Sequence, residues 1–207
     1  MHGLFWRFPH TFTADNSAGI RPRTTYLKVI GDFARWNDEL VFGCDDSAQK
    51  EFLNKRKAKG NIEGPGQSNS NLWFTSLTKP DELGPATADG AIWEKEEVKA
   101  NTNSDPYLFA GWKERCCWIK NDGAEAVKYL FEVDEKGNNQ WTSLQEVLVP
   151  AGESAYVAFN PVTKGEWIRV RTDKDTQTSV SFIYTSADNR TAAIAPMFKG
   201  LSEVSEK

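Results

Sequence analysis

The sequence predicts an all-β protein, a propeller-like antiparallel meander followed by a β-sandwich, with little helix. Three observations carry that expectation. Short stretches in which apolar and polar residues alternate recur along the chain, as in "SVSFIYT", where Val180, Phe182 and Tyr184 share one face. Turn chemistry punctuates them, at Asn37-Asp38, "KGNN", "PAGE" and "DKDTQ". The aromatic load is heavy, 8 Trp and 12 Phe in 207 residues, which suits a β core or a stacking surface.

In chain order, Tyr26 to Phe33 and Glu39 to Cys44 flank "RWND" and read as a hairpin turning at Asn37-Asp38. The stretch "DDSAQKEFLNKRKAKG" is the best helix. Asp46 or Ser47 caps it, Gly60 ends it, and Ala48, Phe52 and Leu53 form a short apolar side. "NIEGPGQSNSN" then breaks the helix and crosses over. "SNLWFTSL" follows as a strand, in which alternation sends Trp73 and Phe74 to opposite faces, one into a core and one toward a groove. "DPYLFAGWKERCCWIKND" reads as a second hairpin, turning near Lys113-Glu114. Residues 126–159 give strand, Gly/Asn turn, strand, "PAGE" turn and strand. "GEWIRVRTDKDTQTSVSFIYTS" adds two strands, the first with Arg169 and Arg171 interleaved among Trp167, Ile168 and Val170.

A repeat gives the first part its propeller-like reading. Gly31 in "KVIGDFAR" and Gly111 in "LFAGWKER" each follow an apolar strand, 80 residues apart, with "NLWF" near the midpoint. A unit of about 40 residues matches a propeller blade. The expected organisation is therefore a propeller-like, incomplete meander over 1–122, a sandwich-like segment over 123–186, and an irregular tail or the start of a further element over 187–207. Core-type residues in "HGLFWRFP" and "APMFKGL" lead us to expect the remainder of a larger polypeptide as a partner.

A net charge of −4 argues against general nucleic-acid binding, which needs a basic balance and a concentrated patch. The basic cluster Lys55, Arg56, Lys57 and Lys59 is open to two readings, a solvated helix end favoured by the helix dipole or an anion site. No apolar run approaches the roughly 20 residues of a membrane helix, so no membrane partner is expected. Cys44, Cys116 and Cys117 make an odd set, and the adjacent pair would point to opposite strand faces. With His2 and His10 the only histidines, no metal site and no cofactor are expected.

Two sets of residues could carry function. Hydrolysis of a glycoside needs a carboxylate pair, for which Asp45 and Asp46 after a strand are the candidates, with Arg21, Arg23 and Arg35 as anion holders. The same "CDDS" is also an ordinary helix cap. Sugar binding needs an aromatic platform with amides around it. "QSNSNLW" supplies Gln67, Asn69, Asn71 and Trp73, and "NNQW" supplies Asn139 and Trp141. Either tryptophan could equally be core, with the amides satisfying loop backbone.

The stretch "HGLFWRFPHTF" through "YLKVIGDFARWNDELVFGCDD" and "NLWF" resembles the blades of large bacterial β-propeller proteins, some associated with polysaccharide use. Separately, "FEVDEKGNNQWTSLQEVLVP" with "GEWIRVRTD" resembles the sandwiches of the discoidin and carbohydrate-binding type, which carry a turn ending in Trp and a late strand with arginine. Asp134, Gly137 and Trp141 are spaced differently from that turn and from the Asp-box of sialidases, while "GIRPR" resembles the arginine motif that opens sialidases. These resemblances imply a carbohydrate-binding or accessory β module with an oligosaccharide as partner. The alternatives are a glycosidase or polysaccharide lyase, and a scaffold without ligand.

Overall fold

The computed structural model describes residues 3–25, 29–45 and 70–188. The chain is all-β, as expected. Its strands in order are β1 (Leu4–Arg7), β2 (Arg21–Thr25), β3 (Val29–Trp36), β4 (Glu39–Asp45), β5 (Ser70–Thr75), β6 (Thr87–Val98), β7 (Tyr107–Leu108), β8 (Glu114–Asn121), β9 (Val127–Asp134), β10 (Trp141–Val149), β11 (Ser154–Phe159), β12 (Trp167–Thr172) and β13 (Thr176–Thr185). A 3-10 turn at Lys79–Asp81 is the one helical piece among the described residues, none of which forms a helix long and apolar enough to cross a membrane. The helix expected after Asp45 and the basic cluster within it lie outside them.

Eight strands form a sandwich-like pair of four-stranded antiparallel sheets, ordered β10-β9-β12-β7 and β11-β8-β13-β6. Alternation explains the pairing of faces. Val127, Tyr129, Phe131 and Val133 of β9, Ile168 and Val170 of β12, and Val180, Phe182 and Tyr184 of β13 all point inward and are buried. Rings interlock across the two layers: Tyr107 stacks on Phe182 at 4.9 Å and Phe131 meets Phe159 edge-on at 5.6 Å. The Tyr129 hydroxyl reaches Thr178 of the opposite sheet at 2.8 Å.

Two buried polar side chains secure the loops between the layers. The Asn121 amide donates to the carbonyls of Glu125, Val149 and Pro150, and its oxygen accepts from Thr176 and Gly123. Arg115 is 5% exposed and forms no ion pair with a carboxylate among the described residues. It instead donates to the carbonyls of Phe109, Asn160, Pro161 and Thr163, with its guanidinium over the Phe109 ring at 3.8 Å. Burial pushes its pKa down from the usual arginine value, and the carbonyl dipoles offset the missing countercharge.

Several expectations change here. β6, β7 and β8 lie before residue 123 yet are hydrogen-bonded into the sandwich, so the division at 122/123 falls in the turn between β8 and β9. β7 and β8 are no hairpin. β7 pairs with β12 in one sheet and β8 with β11 and β13 in the other, because the Gly111 turn carries the chain across the core. No closed propeller forms from the described residues; the strands before β6 make the two-stranded ribbon β1-β2 and the three-stranded sheet β3-β4-β5. Gly31 and Gly111 are not equivalent either. Gly31 lies within β3, whereas Gly111 has φ +86° and sits where a Cβ would meet Arg21 and Pro22 of β2 at 2.6 and 2.7 Å.

The β3-β4 hairpin forms as expected, turning at Asn37 and Asp38. β5 joins it antiparallel to β4, and Phe42 packs on Trp73 at 5.3 Å while Phe74 points away, 50% exposed. Strand β1 joins this sheet to the sandwich, since its consecutive aromatics face opposite ways: Phe5 meets Phe42 at 5.4 Å and Trp6 meets Trp112 at 5.9 Å.

Candidate functional site

The segment between β1 and β2, residues 8–20, crosses the outer face of the sheet β10-β9-β12-β7 as a strap. Backbone bonds tie it to the turn between β9 and β10: Ser17 N donates to the Gly137 carbonyl at 2.7 Å, and the Ser17 hydroxyl to the same oxygen at 3.1 Å. Gly137 has φ +65°, and a Cβ there would meet the backbone of Ala18 at 2.4 Å, so only glycine admits the strap this closely. Further along, Gly19 N donates to Glu166 at 2.9 Å and Arg21 grips the same carboxylate with both terminal nitrogens, at 2.6 and 2.7 Å.

The floor beneath the strap is one row of the sheet. Trp141 of β10 and Trp167 of β12 both lie opposite Asp134 of β9, so the two indoles flank one carboxylate. Asp134 is 1% exposed, and each of its oxygens accepts one backbone bond, from Lys136 N at 3.1 Å and from Asn139 N at 2.7 Å. Those bonds shape the turn and hold Asn139 at φ +61°. The Trp167 indole donates to the Ser17 carbonyl at 3.3 Å, and the Arg169 guanidinium lies over the Trp141 ring at 4.3 Å. Arg169 is itself fixed by Glu132 at 2.8 Å.

Between strap and floor lies a cleft of about 360 Å³. Phe12, Thr13, Ala14 and Ser17 line it from the strap side, and Asn139, Trp141, Trp167 and Pro106 from the sheet side. Aromatic faces, one primary amide and two hydroxyl-bearing residues thus surround one space.

Asn139 and Trp141 are brought together here, and both half-buried tryptophans of the row stand at its wall. Trp73 is elsewhere, against Phe42 in the three-stranded sheet. Gln67 and Asn69 lie outside the described residues, and Asn71 is placed only as a backbone position in β5, opposite Cys44. Asp45 ends β4, opposite Val29 and Ser70, and Asp46 is outside the described residues. Of the candidate anion-holding arginines, Arg21 and Arg23 share one face of β2 and line one cavity, while Arg35 lies apart in the β3-β4 hairpin. Arg21 pairs with Glu166, Arg23 with Asp81 at 2.6 Å, and Arg35 with Asp38 in the exposed hairpin. Trp167 and the strap residues were not among the sequence candidates. Trp167 carried only a strand signal, and Phe12 and Ser17 meet the floor across more than 120 residues of chain, a contact no local pattern encodes.

No family pattern and no curated protein matches the chain. Among solved structures, the chain is similar to the SPBc2 prophage-derived protein YomS, at 15% identity and a TM-score of 0.39, over 49% of this chain and 95% of that one. It is also similar to PirA, at 16% identity and a TM-score of 0.31, over 48% of this chain and 92% of that one.

Proposed function

We propose that this protein is a carbohydrate-binding, non-catalytic β module whose site is the cleft under the strap. The observation that carries the reading is the row Trp141-Asp134-Trp167 roofed by Phe12. A pyranose presents an apolar face of C–H groups and a rim of hydroxyls. Indole and phenyl faces suit the first, and the Asn139 amide with the Thr13 and Ser17 hydroxyls suits the second. The ring of Trp141 is held from one side by Arg169, which reduces the entropy lost when a sugar stacks on the other. Asp134 serves the turn, not catalysis: both of its oxygens are engaged by backbone N–H groups, and glycoside hydrolysis asks for two carboxylates facing the scissile bond.

The test is a glycan array on the wild-type protein, followed by calorimetric titration of any hit against Trp141→Ala. The expected result is binding of a neutral oligosaccharide that weakens about tenfold or more in the variant, the value of one stacking contact. An array without a hit, or a hit indifferent to Trp141, rejects the reading.

A further inference from the structure

A second cavity, of about 450 Å³, opens at the β1-β2 ribbon and is lined by Arg7, Arg21, Pro22, Arg23 and Asp81. The register makes it unusual. Arg7 stands directly opposite Arg21, and Arg23 follows on the same, less buried face of β2. Like charges facing each other across an antiparallel pair are unfavourable for folding. Three guanidiniums share this face of the ribbon, and among the described residues the carboxylates that answer them are two, Glu166 and Asp81.

The donors divide unequally. Arg21 spends its Nη1 and Nη2 on Glu166 and on the Ile20 carbonyl. Arg23 meets Asp81 side-on, through Nε and Nη2, both at 2.6 Å, which occupies both Asp81 oxygens and leaves the Nη1 edge of Arg23 without a hydrogen-bond partner among the described residues. The Arg7 side chain is exposed and makes no hydrogen bond or ion pair among the described residues, though its charge helps to lower the pKa of the Asp81 carboxyl behind the stronger Arg23 pair. Asp81 is thereby neutralised within the cavity, and the guanidiniums of Arg21 and Arg23 are fixed in place by their partners. A positive cavity wall with pre-positioned, unspent N–H donors suits an acceptor-only anion.

We propose that this cavity binds a tetrahedral oxyanion, a phosphate or sulfate group, between Arg7 and the free edge of Arg23. The anion relieves the Arg7–Arg21 repulsion, and the fixed guanidiniums supply charge-assisted bonds at little cost in side-chain entropy. Arg7 is the residue the fold can spare, since its exposed side chain makes no hydrogen bond or ion pair among the described residues and acts on Asp81 only through its charge, so its removal reads out the site without removing a structural pair.

The test is an NMR titration of the intact protein at low ionic strength with inorganic phosphate, inorganic sulfate, a sulfated oligosaccharide and, as a planar control, acetate. The expected result is saturable shifts at residues of β1 and β2 with phosphate or sulfate, weaker binding of acetate, and a loss of about tenfold in Arg7→Ala, with Arg7→Lys intermediate. Arg35→Ala, at an exposed pair in a different sheet, should leave the affinity unchanged. Tighter binding of the sulfated oligosaccharide than of the free ions assigns the anion to an ester on a larger molecule; the reverse order assigns it to the free ion. No saturable shift, acetate binding as tight as phosphate, or equal affinity in Arg7→Ala overturns the proposal. Trp141→Ala should leave the inorganic phosphate and sulfate titrations untouched, so the oxyanion site and the sugar cleft stand or fall separately.

Discussion

The sandwich and the three-stranded sheet are built from similar strands and end with different amounts of hidden surface. In the sandwich, Phe131, Phe182, Ile168 and Val170 are fully buried between two layers. In the β3-β4-β5 sheet only Phe42 and Cys44 are buried among the described residues, while Trp36, Phe33, Leu72 and Phe74 stay 64%, 69%, 65% and 50% exposed. The strand patterns alone do not separate them. A sheet hides an apolar face only against another layer, and the smaller sheet is covered, among the described residues, chiefly by Phe5 of β1 lying on Phe42. Alternation therefore specifies a strand and its two faces; burial depends on what the rest of the chain brings to each face.

The widest gap between the two regions should appear in stability. Phe131→Ala removes a ring packed on Phe159 at the centre of the sandwich, and should cost about 3–5 kcal/mol in urea unfolding. Phe74→Ala removes a half-exposed ring and should cost about 1 kcal/mol or less. Comparable losses would break the contrast and mean that the outer face of the small sheet is covered in solution.

The same contrast explains what could be read from the sequence. The Asn37-Asp38 hairpin, the β9-β10 hairpin and the inward rows of β12 and β13 were legible because each is decided by neighbours in sequence. The 12-residue strand β6 was not. Its "EKEE" run lies at the sheet edge beside a bulge, with Lys95 at φ +52° donating its amide N–H to the Ser179 hydroxyl, so the apolar period is interrupted between Trp93 and Val98. The β7-β8 pairing failed for a related reason. Turn chemistry is the same for a hairpin and for an arch that changes sheets, and only the partners across the core distinguish them. In the cleft, Asn139 and Trp141 could be singled out because a local turn places them, whereas Phe12, Ser17 and Trp167 depended on a strap arriving from far away in sequence.

That strap offers a smaller effect, and one that depends on pH. Burial alone would raise the Glu166 pKa, but the Arg21 pair and the Gly19 N–H outweigh it and hold the carboxyl below its usual value. Because the folded-state pKa is depressed, the stabilisation is present above the ordinary glutamate pKa of about 4.3 and is lost as pH falls through the folded value. Amide exchange at Gly19 should therefore quicken below about pH 4 relative to β9 amides of the core. Glu166→Gln should abolish most of that pH dependence and cost about 1.5–3 kcal/mol at neutral pH, the range for losing a hydrogen bond to a charged group. An unchanged profile in the variant would mean that the strap is held by the Ser17–Gly137 contact and not by the ion pair.

The smallest expected effect lies in the exposed hairpin, where the two regions should differ least from unfolded chain. Asn37 and Asp38 both have positive φ, +47° and +64°, the geometry of a type I′ turn that matches the twist of β3 and β4. Glycine at the second position removes the steric cost of that conformation, yet it also enlarges the entropy of the unfolded chain, and the two changes oppose each other at similar size. The side chain lost in Asp38→Gly pairs with Arg35, but these side chains are 84% and 67% exposed, and solvent leaves such pairs little net value. Asp38→Gly should accordingly shift stability by about 0.5 kcal/mol or less in either direction, measured by thermal melting against wild type. A loss several times larger would show that the Arg35–Asp38 pair carries the hairpin, and with it the orientation of the exposed Phe33 and Trp36.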